Sequence, residues 1–164
     1  WYTLHRGMKG EGAMIDGVRT KALTPHSDER GYLQEILRSD EGFFEGFAQL
    51  YVSMNYPGVV RAWHYHKKQV DFITVVDGMA KVVLYDGRDG SPTRGEVNEF
   101  FIGEDHRILV RIPPLVMHGY KTIGCKPCLL LNLPTRCYDP RDPDEYRIPP
   151  HENDIPYAWA IKEH

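Results

Sequence analysis

Four side chains in this sequence could together hold or move charge: His64, His66, Asp71 and His118. The stretch carrying the first three reads G-x5-H-x-H-x4-D-x6-G, from Gly58 to Gly78. Side chains alternate along a strand, so His64 and His66 leave one face and Tyr65 leaves the other. Asp71 begins the following strand and can return alongside the pair. A second element, Ile112-Pro113-Pro114-Leu115-Val116-Met117-His118-Gly119, is a proline-set turn that can deliver His118 opposite them. Three imidazoles and a carboxylate converging on one cavity would suit a divalent metal such as Zn²⁺, Fe²⁺, Mn²⁺ or Ni²⁺.

The elements that must position these residues are short and β-rich. Twelve prolines and fifteen glycines punctuate the chain. Between them the pattern predicts strands over 46–55, 59–66, 70–76, 80–85, 99–102, 107–112, 119–123 and 128–133. Asp77-Gly78 between two β-branched runs is a hairpin signal. Regularly spaced short strands with almost no helical periodicity argue an all-β antiparallel sandwich or barrel. After Tyr138 the chain is proline-rich and charged, yet Ile148, Ile155, Tyr157 and Trp159 give it something to bury. The expectation is one domain over 1–164: a barrel core over 14–138 and a C-terminal wrap over 139–164, with short helical or irregular terminal segments.

Composition bounds the function. The chain has 164 residues, 26% of them charged, and a net charge of −3. That balance gives no electrostatic case for nucleic acid or a membrane surface. No apolar run approaches the roughly 20 residues of a spanning helix, and no signal-peptide pattern opens the chain. Cys125 and Cys128 form a C-x-x-C without the second pair of a zinc ribbon or the helix start of a thioredoxin. Reduced thiols in a turn, and a cytoplasmic protein, are therefore expected.

The histidine spacings resemble the two motifs of the cupin superfamily, with Asp71 where glutamate is usual and Leu115 where glycine is usual. That likeness implies a cupin, a double-stranded β-helix or jelly-roll barrel. The chain also resembles the dTDP-4-dehydrorhamnose 3,5-epimerase family, a cupin-like branch that works without metal. Asp28-Glu29-Arg30-Gly31-Tyr32 resembles its D-x-R-G-aromatic element, and 49–53 (QLYVS) its Q-x-N-x-S strand. Gly58 through Tyr65 resembles G-V-x-R-G-L-H-[YF], and Asp86 through Gly95 resembles D-x-R-x-x-S-P-T-x-G. Ile112-Pro113 through His118-Gly119-Tyr120 resembles I-P-x-x-x-x-H-G-[FY]. Tyr138 and Ile155 through Trp159 fit the late tyrosine and closing tryptophan.

The resemblance implies proton abstraction next to the ketone of a nucleotide-linked 4-keto-deoxysugar, with no cofactor. His64 would be the base, suited by a pKa near neutrality. Tyr138 would be the remaining candidate acid, and Glu152, with Asp154 as neighbour, the carboxylate orienting the base. Arg30 and Arg61 would bind the nucleotide diphosphate. Gln49, His118 and Arg88 join the binding set, although a structural salt bridge is an equally good reading of Arg88. The resemblance further implies a homodimer.

The departures cluster at the site. His66 stands where the family has glutamine, Asp71 where it has an enolate-stabilising lysine, and Asn132 where a tyrosine is expected. His66 and Asp71 restore a metal-ligand pattern, so a cation on His64, His66, Asp71 and His118 could replace the lysine. Two alternatives follow: a metal-dependent cupin of another reaction class, and a non-catalytic sugar-binding cupin.

Overall fold

The computed structural model describes residues 12–161, so the two ends of the single domain expected over 1–164 lie outside the described residues. Twelve strands run in chain order: β1 (Arg19–Ala22), β2 (Pro25–Asp28), β3 (Gly31–Gln34), β4 (Tyr51–Asn55), β5 (Val60–Tyr65), β6 (Asp71–Asp77), β7 (Met79–Tyr85), β8 (Val97–Gly103), β9 (Ile108–Ile112), β10 (Met117–Ile123), β11 (Cys128–Asn132) and β12 (Tyr146–Arg147). They form two antiparallel sheets of five strands, β1-β9-β6-β11-β4 and β12-β5-β10-β7-β8, plus the separate hairpin β2-β3. This is the jelly-roll barrel expected, and its terminal segments are irregular: no helix occurs among the described residues.

Three apolar layers hold it together. Between the sheets lie Ile73, Val75, Val110, Ile112 and Leu130 from one and Val82, Leu84, Ile102 and Tyr120 from the other. Outside the first sheet, Phe72, Leu109 and Leu131 are covered by Ile36, Leu37 and Phe43. Outside the second, Trp63 and Val83 pack under Ile155 and Trp159 of the C-terminal segment. Strand β6 is therefore buried on both faces, which is why Phe72-Ile-Thr-Val-Val76 reads as a continuous apolar run rather than an alternation.

Asp77-Gly78 is not a hairpin. Strand β6 pairs with β9 and β11, whereas β7 pairs with β8 and β10, so this turn carries the chain from one sheet to the other. A hairpin would have left both strands in one sheet with one face each to cover. Crossing instead puts two buried runs into opposite walls of the core. The corner is tight: Gly78 has φ +72°, and a Cβ there would lie 2.4 Å from the Pro127 carbonyl oxygen.

The D-x-R-x-x-S-P-T-x-G element is the loop between β7 and β8, closed around one carboxylate. Asp86, fully buried, accepts hydrogen bonds from Arg88 Nε (2.8 Å), Ser91 Oγ (2.6 Å) and Thr93 Oγ1 (2.7 Å). Burial alone would raise its pKa, but these donors outweigh it and hold the carboxyl well below its usual range. Asp86→Asn is expected to cost about 3 kcal/mol at pH 7, because it leaves the Arg88 charge uncompensated. A carboxylate with a depressed folded pKa stabilises above its unfolded value of about 3.9 and loses that contribution as pH falls further. Urea midpoints of the two proteins should thus differ fully at pH 7 and converge below about pH 4. An unchanged gap at pH 3 would show that the charge is not what stabilises this loop.

Candidate active site

The two sheets part at one end around a cavity of about 330 Å³. The second sheet contributes Arg61 and His64 (β5), His118 (β10) and Arg147 (β12); the first contributes Tyr51 and Ser53 (β4) and Asn132 (β11). His66, Gln69, Gln49, Tyr138, Asp144 and Glu145 also line it.

Arg61 and His64 are three residues apart, which on a regular strand would put them on opposite faces. A β-bulge resolves this. Tyr120 pairs with Arg61 and His118 with His64, so β5 spends one more residue than β10 over the same span. Trp63 consequently turns outward into the layer under Trp159, and both Arg61 and His64 face the cavity. Gly119 is needed opposite the bulge, since a Cβ there would sit 2.3 Å from the Ala62 Cβ. Gly119→Ala is expected to destabilise the fold by about 1–3 kcal/mol, the usual range for overpacking. Denaturant titration checks this; an unchanged midpoint would mean that the bulge relaxes freely.

His66 and His118 are locked by backbone carbonyls. His66 Nδ1–H donates to the Asp144 carbonyl, and His118 Nδ1–H donates to that of Val116 at 3.1 Å. A carbonyl oxygen only accepts, so in the neutral rings the proton is on Nδ1 and Nε2 carries a lone pair. Both Nε2 atoms face Asp71 Oδ2, at 3.1 Å from His66 and 3.6 Å from His118. Burial acts to lower the His66 pKa, but the Asp71 hydrogen bond and charge, with the Asp144 carbonyl, carry it upward on balance. Burial pushes His118 down. The other Asp71 oxygen, Oδ1, accepts from Gln69 Nε2 at 2.9 Å and Asn132 Nδ2 at 3.0 Å.

Asp144 also fixes the loop that carries His66. Its carboxylate accepts from the backbone N–H groups of Lys67, Lys68 and Gln69 at 2.8, 2.8 and 3.0 Å, which hold it below the usual carboxylate range despite burial.

His64 stands apart from this cluster. The ligand atoms of His66, Asp71 and His118 lie within 4.8 Å of one another, and His64 is not among them. Of the four residues expected to share a cation, the structure brings three together and leaves His64 outside the cluster. His64 meets His118 edge to face, with ring centroids 6.3 Å apart. Burial and the neighbouring His118 push its pKa down to about 4, against the charge of Glu145, so the imidazole is neutral at pH 7.

Several expected residues lie elsewhere. Glu152 and Asp154 are exposed and outside the cavity; the carboxylates that reach it are Asp144 and Glu145. The reason is the short strand β12, which pairs Arg147 with His64 and so brings its own neighbours to the base. Arg30 sits at the tip of the β2–β3 hairpin paired with Asp28, its side chain 85% exposed. Arg88 is committed to Asp86. The guanidiniums that line the cavity are Arg61, whose Nε donates to Asn55 Oδ1 at 2.8 Å, and Arg147, paired with Glu145 at 2.8 Å. Gln49 lines the cavity and accepts the Tyr138 backbone N–H at 3.0 Å. Cys128 is not in a turn: it opens β11, fully buried, with its Sγ 3.1 Å from Thr122 Oγ1.

Tyr51 is the residue that sequence reasoning passed over. It is the cross-strand partner of Asn132, whose Nδ2 donates to the Tyr51 hydroxyl at 2.8 Å. The hydroxyl proton itself has no acceptor among the described residues and is free for the cavity. Burial, and then the charge of Asp71, push its pKa up to about 12 against the Asn132 hydrogen bond, so the phenol keeps its proton at neutral pH. Where the family's elements have asparagine on this strand and tyrosine on the next, this chain has Tyr51 and Asn132.

A family model described as dTDP-4-dehydrorhamnose 3,5-epimerase matches residues 13–164. The chain belongs to this family. Among curated members it is 45% identical over 146 residues to the spore coat polysaccharide biosynthesis protein SpsL of Bacillus subtilis, covering 89% of this chain and 97% of that protein. It is also 45% identical over 152 residues to the "Probable low-salt glycan biosynthesis epimerase Agl13" of Haloferax volcanii, covering 92% and 97%. A dTDP sugar isomerase from Desulfovibrio desulfuricans superposes with TM-score 0.85 at 32% identity, covering 91% of this chain and 94% of that one. No helix among the described residues of this family member is long and apolar enough to cross a membrane.

Proposed function

We propose that this protein is an epimerase that inverts a carbon next to the 4-keto group of a nucleotide-linked deoxysugar. His64 takes the proton from that carbon. The C–H electron pair becomes the new C=C bond, and the carbonyl π pair moves to the oxygen as an enolate. Tyr51 returns a proton to the opposite face, the carbonyl re-forms, and solvent resets both groups. Arg61 and Arg147 hold the diphosphate, the forked guanidinium being suited to it. Tyr138, exposed at the mouth, contacts the sugar or base without supplying the proton.

The observation that carries this reading is the placement of His64 and Tyr51 on facing sheets across one cavity. Inversion needs removal from one face and return from the other, and this arrangement supplies a base on one wall and a hydroxyl acid on the other. The test is incubation of the protein with a dTDP-4-keto-6-deoxyhexose in D₂O. Incorporation of deuterium next to the ketone with inversion is expected. Tight binding with no exchange would overturn the reading and favour a sugar-binding barrel.

The assembly that goes with this reading is a homodimer. The outward side of edge strand β4 exposes Val52 and Met54, with Leu50 and Phe47 beside them, for a second copy to cover. Sedimentation at twice the chain mass of 18.9 kDa is expected, and a monomer at micromolar concentration would refute it. Three free thiols suit the reducing cytoplasm as its compartment.

A further inference from the structure

We infer that His66, Asp71 and His118 form a binding site for one divalent transition-metal ion of the Zn²⁺ or Fe²⁺ type, open toward the cavity beside His64. The site does not depend on the reaction proposed above; the role assigned to it, polarising the substrate carbonyl, does.

The argument is one of charge and lone pairs. Asp71 is a buried carboxylate, its side chain 1% exposed, and no lysine or arginine contacts it among the described residues. Its Oδ1 is satisfied by two neutral amide donors, Gln69 and Asn132. Its Oδ2 meets only the two Nε2 atoms, and both rings have their Nδ1 protons committed to backbone carbonyls. With both rings neutral, three lone-pair-bearing atoms converge, and only a proton taken up by a ring would place a donor among them. A proton on His66 would satisfy one of the two contacts and leave His118 Nε2 aimed at Oδ2 across 3.6 Å. A metal ion satisfies all three atoms at once.

The dimensions are near those of a tetrahedral site. Ligands about 2.0–2.1 Å from one ion lie about 2.8–3.0 Å apart at octahedral angles and about 3.3–3.4 Å apart at tetrahedral angles. The observed Nε2–Oδ2 separations are 3.1 and 3.6 Å. Two imidazoles and one carboxylate, with the remaining positions facing a cavity, make an open set of the kind that binds a substrate oxygen. The Asp144 and Val116 carbonyls that hold the Nδ1 protons are the outer partners such histidines require. His64 is left outside the set, so base and ion do not compete for one imidazole.

The test uses the full chain purified without a metal-affinity tag. As isolated, it is expected to carry close to one Zn or Fe per chain by elemental analysis. After chelation it should bind one Co²⁺, read by the d–d absorption of the bound ion. His66→Gln, at the rim of the cavity and checked for native circular dichroism, should weaken Co²⁺ binding by more than about 100-fold, the upper range for losing even an outer partner of a ligand. His118→Gln should do the same, whereas His64→Ala should bind Co²⁺ as the parent does. A metal content near zero with no stoichiometric Co²⁺ uptake would overturn the site, as would uptake untouched by both glutamine variants. Full deuterium exchange by the chelated protein would overturn the carbonyl-polarising role. Stoichiometric metal without exchange in any form would support the site and count against the epimerase reading instead.

Discussion

Replacing His64 by alanine is expected to lower deuterium uptake from D₂O into a dTDP-4-keto-6-deoxyhexose by about 10²–10⁴-fold, the range a positioned general base contributes. The imidazole is neutral and lies in the cavity wall, and among the described residues no other side chain of the second sheet offers a neutral base there without being tied to Asp71 or a backbone carbonyl. Binding of dTDP should change little, because Arg61 and Arg147 stay in place. Exchange and dTDP affinity are therefore measured together on the same preparation. A drop of less than tenfold in exchange would remove His64 from the role of base, and parallel loss of dTDP binding would indicate a collapsed cavity.

Tyr51→Phe should separate two observables that His64→Ala abolishes together. Without the phenolic proton, inversion is expected to fall by about 10²–10⁴-fold. Exchange should stay within tenfold of the parent, since His64 can still remove a proton and return a deuteron to the same face. The substitution keeps the ring and removes only the oxygen that Asn132 holds at 2.8 Å, so folding should be unaffected. Tyr138→Phe is the control. Its side chain stands at the mouth, and inversion should survive it. The reverse pattern, inversion lost in Tyr138→Phe and kept in Tyr51→Phe, would move the acid to Tyr138.

The strands from β5 to β11 were legible to within about two residues because alternation and Gly-Pro punctuation are local signals, whereas β4 (Tyr51–Asn55) forms only the second half of the strand expected over 46–55. Strands β1, β2, β3 and β12 were not legible. Each has two to four residues, too few for a period to show, and β12 exists only because β5 offers it an edge. The Asp77-Gly78 turn was legible as a turn, but a dipeptide cannot report which sheet the next strand joins. Only the burial of both faces of β6 decides that. Arg88 follows the second of its two readings, the structural salt bridge: its motif is dense with polar residues because the loop satisfies a buried Asp86.

At the site, the H-x-H spacing and the turn before His118 sufficed to place three imidazoles around one cavity, because a strand's alternation fixes side-chain direction over two residues. Asn132 read alone looks like a lost tyrosine, and only its pairing with Tyr51, 81 residues away, shows that the hydroxyl survives on the neighbouring strand.

The histidine pattern, the all-β class and the family were thus determined by the sequence itself, since each rests on residue type at short spacing or on ordered motifs along the chain. Tertiary structure alone decided which atoms meet. It took Asp144 to lock His66 across 78 residues, a bulge opposite Gly119 to bring Arg61 and His64 to one face, and two facing sheets to set Tyr51 across from the base. Those contacts join distant segments, and no local period carries the information that they will touch.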